Sequence, residues 1–194
     1  MAVSLALKLP MTLAEFLAWE AQQPLRYEFD GTAPVAMTGG SAGHASIQAN
    51  LGAALLNRLR GSPCRFYGAD LKLQVASGHI RYPDGMVVCH PVDRSETLVS
   101  DPAVVFEVLS PSAAREDRIV KAREYQATPS VQRYVMLDQD GISATVLTRS
   151  GETWTHAILV TGSTLALPEI GVSFPLAEPY QGLRFDEADA GAEG

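Results

Sequence analysis

Basic residues are in short supply in this chain: 15 lysines and arginines stand against 22 aspartates and glutamates, a net charge of −7. A balance of that sign argues against a protein that grips nucleic acid by bulk electrostatics, so a polyanion would have to be met by a pocket. Part of the imbalance is local. Residues 186–194 carry Asp186, Glu187, Asp189 and Glu193 with no base, which leaves 18 acids against 15 bases, or −3, in the body. Cysteine is scarcer still. Cys64 and Cys89 stand alone, lack the spacing of a metal site and suggest no disulfide framework, so free thiols in a reducing cytoplasm are expected. No apolar run approaches the roughly 18 residues of a membrane span. Met1 to Leu9 is broken by Lys8 and has no basic stretch before it, which makes it a poor signal peptide. Internal repeats and low-complexity segments are also lacking.

What is present is 194 residues at 46% hydrophobic content, enough for one full core. Residues 1–185 read as a single domain and 186–194 as an acidic, flexible tail. Thr12-Leu13-Ala14-Glu15 is a capping box that opens a short helix through Phe16, Leu17 and Trp19, closed by Pro24. Leu25 to Gly31 is a strand whose Asp30-Gly31 pair predicts a hairpin returning through Val35 to Met37. Glu28 faces opposite to Tyr27 and Phe29, and the pattern leaves open which of the two faces is buried. A long helix follows from Ser41, its N-cap, to about Arg60, with Ile47, Leu51, Leu55 and Leu59 repeating every four residues. Two strands, Arg65 to Ala76 and His79 to Cys89, are joined at Ser77-Gly78, and Asp84 is placed on the second. A polar connection from His90 to Asp101 leads to a further strand. After it come a helix from about Ser112 to Ala127, a strand from Arg133 to Leu137, and a last hairpin of Ala144 to Thr148 with Thr153 to Leu159.

The strand between Pro102 and Pro111 holds the strongest chemical signal. Its β-branched, apolar run reads as an interior strand covered on both faces, interrupted by one carboxylate, Glu107. A carboxylate near a core must be paired, hydrogen-bonded or bound to a metal, or else it titrates to its neutral form. Asp84 ends another apolar strand, and neighbouring strands could bring both acids to one ion. Magnesium takes oxygen ligands, commonly one or two carboxylates plus water and substrate phosphate, and the Val108 carbonyl could supply a third protein ligand. Such an ion stabilises charge on a scissile phosphate and acidifies bound water. Lys121, about two turns into the following helix, is the candidate ammonium beside it. On spacing alone, an exposed Asp117–Lys121 pair at i, i+4 is the better explanation of that lysine. Asp70 and Lys72 carry less weight, since a pair of opposite charges on a strand is often only surface.

Competing patterns are weaker. Gly39-Gly40-Ser41-Ala42-Gly43 matches the nucleophile-elbow spacing, with His44 and His156 as candidate bases for a serine hydrolase acting through Ser41. An elbow needs a buried strand ahead of it and a histidine on a later loop, whereas His156 falls in mid-strand. A zinc site from Cys64, His79, Cys89 and His90 fails because adjacent strand residues point to opposite faces. The glycines at 39 and 40 lack the lysine and spacing of a phosphate-binding loop.

Taken together, Tyr27-Glu28-Phe29-Asp30-Gly31, Gly39-Gly40-Ser41 with His44, Tyr82-Pro83-Asp84, Phe106-Glu107-Val108-Leu109-Ser110-Pro111-Ser112, Asp117-Arg118 with Lys121, and Tyr125 with Pro129-Ser130-Val131 resemble the Uma-type restriction endonuclease family of the PD-(D/E)XK nuclease superfamily. The resemblance runs from about Pro10 to Tyr180. It implies an α/β (α+β mixed) restriction-endonuclease-like fold, a mixed central sheet flanked by helices with added β-hairpins. It implies a metal-dependent site at Asp84 and Glu107; joined to the ligand chemistry above, with the Val108 carbonyl as third ligand, the expectation is a Mg2+-dependent endonuclease, with Mn2+ as the alternative ion, acting on phosphodiester bonds in DNA. Glu28 joins the site as a further acid, and a further ligand, only through this resemblance. The superfamily lysine two residues after the glutamate is Leu109 here, and the resemblance implies that Lys121 replaces it from the helix. Cutting both strands of a duplex calls for two sites, so a symmetric homodimer is expected, cytoplasmic and with no membrane partner. A nuclease-like module that binds nucleic acid or protein without turnover is the reading of a different class.

Overall fold

A computed structural model describes residues 10–37, 39–109 and 115–185, without the side chains of 115–117. The tail 186–194, the segment Ser110 to Ser112 and the Asp117 side chain therefore lie outside the described residues.

The chain runs α1 (Leu13–Glu20), β1 (Tyr27–Phe29), β2 (Pro34–Ala36), α2 (Ala42–Arg58), β3 (Arg65–Gly68), β4 (Lys72–Gln74), β5 (Ile80–Arg81), β6 (Gly85–Val88), β7 (Leu98–Val99), β8 (Val104–Leu109), α3 (Arg115–Ala127), β9 (Arg133–Asp138), β10 (Ser143–Ser150), β11 (Thr153–Val160), β12 (Thr164–Leu167) and β13 (Val172–Pro175). Three sheets result: β11-β10-β9-β8-β6-β3, β2-β1-β5-β4-β7 and the pair β12-β13. β8 and β9 run parallel with α3 as their crossover, and the remaining pairs of the six-stranded sheet are antiparallel. This is the mixed α/β class expected from the sequence.

Local signals act as anticipated in several places. The Thr12 capping box closes both ways with Glu15, and Ser41 caps α2 by accepting from the His44 amide. Leucines and isoleucine four apart on α2 dock on one face of the large sheet, against Val104, Phe106 and Val108 of β8. Burying each such side chain contributes about 1.5–3 kcal/mol. The alternate residues of β8 face the other way, where Val105 packs with Met86, Val88, Tyr134 and, from α3, Tyr125. Glu107 shares the face of Val105, so the period of two aims its carboxylate at α3 and the second sheet rather than at α2.

Three expectations need correction. The strands anticipated at Arg65 to Ala76 and His79 to Cys89 are each broken in two, and the halves belong to different sheets. The turn at Ala69-Asp70 and the bend at Tyr82-Pro83-Asp84 mark the crossings, the latter where proline cannot donate to a ladder. Asp84 thus lies in the break just before β6 rather than on a strand. Gly85 beside it allows a close approach: a Cβ there would stand 2.5 Å from the Phe66 ring. Secondly, Cys64 and Cys89 are joined as a disulfide, not free, because β3 and β6 pair with Arg65 opposite Val88 and so set the two cysteines side by side. Lastly, β7 and the β12-β13 hairpin were not anticipated. Leu165 and Leu167 are buried between the exposed Thr164 and Ala166, and Val172 and Phe174 between the exposed Ser173 and Pro175, and that alternation of large apolar with small or polar residues was the available signal.

Candidate functional site

Pairing of β6 with β8 puts Gly85 opposite Phe106, so the residues one step out, Asp84 and Glu107, meet at the same end of the sheet. Asp84 is held from both sides. Its Oδ2 accepts from the Val108 amide at 2.7 Å and lies 3.1 Å from His44 Nε2, while Oδ1 accepts from Gln48 Nε2 at 3.1 Å. His44 and Gln48 are four apart on α2 and reach the acid from one helix face. The His44 ring is pushed toward its charged form chiefly by its bond to Asp84, with burial opposing. Neither residue was read as part of a metal site from sequence, although their i, i+4 spacing was visible.

Glu107, 12% exposed at its side chain, receives a hydrogen bond from Tyr125 Oη at 2.9 Å. Lys121 comes in from one turn earlier on α3. Its Nζ stands 3.1 Å from Glu28 Oε1 and 3.9 Å from Glu107 Oε1, with only 15% of the side chain exposed. The amine is therefore turned inward to two buried acids, which favours the helix-borne lysine over the surface-pair reading. The open question about the faces of β1 resolves as both buried: Phe29, 2% exposed, packs into a core cluster on one side, and Glu28, 7% exposed, faces the site on the other, accepting from the Tyr82 amide at 3.3 Å and from Arg81 Nη1 at 3.3 Å. Lys72 lies elsewhere, 3.3 Å from Glu20, and Asp70 pairs with Arg26.

Burial raises the Glu107 pKa to about 7, Lys121 works against the rise, and the charges of Asp84 and Glu28 add to it. The carboxyl of the folded chain thus holds its proton from its ordinary range near 4.5 up to about 7. Between those values the folded state binds more protons than the unfolded one, so stability falls as pH rises. The expected loss is about 3 kcal/mol at most for the chain in chelator. Urea unfolding at a series of pH values should show that slope in the wild type and its absence in Glu107→Gln.

The donor set suits a hard divalent cation: two carboxylates and the Val108 carbonyl are oxygen ligands, and two like charges held together in a dry place gain from an ion between them. Among the described residues no three His, Cys, Asp or Glu side chains converge as a ready metal cluster, so the strand carbonyl and water would have to complete the shell. Ser41 has no hydrolase geometry. Its Oγ is taken up by the His44 amide and by Gln139 Oε1 at 3.0 Å, the His44 ring is directed to Asp84, and His156 lies on the edge strand β11.

Among the described residues, no helix is long and apolar enough to cross a membrane. A crystal structure from Anabaena variabilis ATCC 29413, of "a putative nuclease belonging to DUF820", superposes with a TM-score of 0.72 at 16% identity, covering 88% of this chain and 98% of that one. That likeness establishes a shared fold. In Synechocystis sp. (strain ATCC 27184 / PCC 6803 / Kazusa), the uncharacterized protein slr1290 is 33% identical over 174 residues, which is 88% of this chain and 92% of its own length. The uncharacterized protein sll1609 of the same organism is 32% identical over 133 residues, 66% of this chain and 75% of its own. A family model described as "Uma2: Putative restriction endonuclease" matches residues 13–177. By that match over most of its length, the chain belongs to the Uma2 family of putative restriction endonucleases.

Proposed function

We propose that this chain is a divalent-cation-dependent endonuclease that hydrolyses phosphodiester bonds in DNA. The observation that carries the reading is the meeting of Asp84 and Glu107 at the β6-β8 end with an inward-turned lysine beside them. Asp84, Glu107 and the Val108 carbonyl would hold Mg2+, with Mn2+ as the alternative ion. Bound there, the cation supplies Lewis-acid stabilisation of charge on the attacked phosphate and lowers the pKa of water.

The chain's own residues do the rest. His44, Gln48 and the Val108 amide fix the Asp84 carboxylate, while the Tyr125 hydroxyl fixes that of Glu107. Lys121 presents a cation that orients the attacking water and stabilises the oxyanion that develops as the water oxygen bonds to phosphorus and the ester P–O bond breaks. Glu28 holds that amine. Placed so, Glu28 serves as the orienter of Lys121 rather than as a first ligand. In a cytoplasmic homodimer, two such sites would cut both strands.

The test is incubation of purified protein with supercoiled, linear and single-stranded DNA in Mg2+, Mn2+ or chelator. Nicking and linearisation with either cation and none in chelator is expected. Intact DNA under every condition would leave a nuclease-like interaction module, a reading that Leu109 at the usual lysine position favours. Labelling of Ser41 by a fluorophosphonate would instead indicate a serine hydrolase.

A further inference from the structure

Arg81 lies outside the contacts used so far to explain cleavage, apart from its touch on Glu28. It is 4% exposed, on a two-residue strand whose other member, Ile80, is ordinary core. Burying a guanidinium is costly unless its donors are met. Here they are met by two acids from two different elements. Nε and Nη2 form a fork on Glu124 of α3, at 2.6 Å to Oε2 and 2.7 Å to Oε1, and Nη1 reaches Glu28 Oε2 of β1 at 3.3 Å.

Both acids lead to the same amine. Glu28 accepts Lys121 through its other oxygen at 3.1 Å, and Glu124 lies three residues after Lys121 on the same helix face. We propose that Arg81 is a positioning residue for Lys121: one guanidinium fixes the register of α3 on the five-stranded sheet and, at the same time, the carboxylate on which the lysine amine rests. The inference rests on the cation-dependent nuclease reading for its consequence in catalysis, but the clamp itself is a matter of geometry. His79 completes the far side, with Nδ1 2.7 Å from Glu124 Oε1. Burial works to raise the Glu124 pKa, yet the bonds and charges of Arg81 and His79 hold it below the ordinary range, so the fork is made to a carboxylate. A bidentate arginine is the residue for such a task, because its planar fork fixes direction as well as charge, which a lysine cannot do.

Arg81→Lys keeps the charge and loses the fork; Glu124→Gln keeps Arg81 on Glu28 and weakens the tie to α3. Each should fold by circular dichroism, bind Mn2+ within twofold of wild type and keep KM within twofold. Each should lower kcat by about 10- to 100-fold, as expected for a group that acts on transition-state geometry. In a Lys121→Met background neither substitution should change kcat by more than twofold, because a residue acting through Lys121 has nothing left to position. Losses that multiply with Lys121→Met, or a wild-type kcat in both single variants, would overturn the proposal.

A second readout needs no turnover. Acylation of lysines by acetic anhydride, followed by peptide mass spectrometry, should rise at least fivefold at Lys121 in both variants and stay constant at Lys72, which has its own partner in Glu20. Unchanged labelling of Lys121 refutes the clamp even if the protein cleaves DNA. Raised labelling in a chain that cleaves nothing keeps the clamp and refutes the nuclease reading instead.

Discussion

Alanine at Asp84 or at Glu107 will abolish cation-dependent cleavage, and Asp84→Ala will lose stability where Glu107→Gln will not. Each removes a ligand from a site with few side-chain donors, so the ion and the water it acidifies are lost together. Asp84 accepts from the Val108 amide, Gln48 and His44, and Asp84→Ala leaves those groups without a partner, at a cost of about 1–3 kcal/mol. Asp84→Asn keeps an acceptor oxygen and should recover much of that stability while remaining inactive. Glu107 is different, because burial already disfavours its charge. Glu107→Gln should fold at least as firmly as the wild type at neutral pH and cut nothing. Plasmid cleavage alongside urea unfolding separates the two properties. An unfolded Glu107→Gln variant, from a wild type that binds no cation, would make Glu107 a structural ion-pair partner.

Lys121→Met will lower kcat by about 10²- to 10³-fold, the range for removing one preorganised donor to a developing oxyanion. Cation affinity should hold or rise slightly, since the lost ammonium competes with a bound ion for Glu107. Glu28 keeps Arg81 and the Tyr82 amide as partners, so it is not stranded by the change. Single-turnover cleavage at saturating Mg2+ measures the rate, and Mn2+ titration measures the affinity. Were Lys121 only a surface charge, the change would shift stability by less than about 0.5 kcal/mol and leave the rate alone.

Much of this was legible in the chain because local chemistry and long-range structure agree. The Thr12 capping box, the Asp30-Gly31 turn, the Ser41 cap and the buried β8 each depend on a few neighbouring residues, and each forms as those residues dictate. Asp84 and Glu107 were readable as a pair because a charge at the end of an apolar strand has few inexpensive explanations. The failures share one cause. Whether Arg65 to Ala76 is one strand or two depends on which sheet each half joins, and the apolar pattern continues through the bend. The partnership of Cys64 with Cys89 needs the β3-β6 register, 25 residues apart in sequence. The inward turn of Lys121 is set by Glu28 and Glu107, which arrive from β1 and β8, so no helical spacing could distinguish it from a surface pair. Arg81 gave no sequence signal, since its two acids lie 53 and 43 residues away.

The most direct measurement of the central claim is an anomalous difference map from crystals soaked in Mn2+. The account predicts a peak between the carboxylates of Asp84 and Glu107, about 2.1 Å from an oxygen of each and from the Val108 carbonyl, that is absent in Glu107→Gln. A well-ordered site with no peak at saturating Mn2+, or a peak bound elsewhere while DNA is still cut, would contradict it.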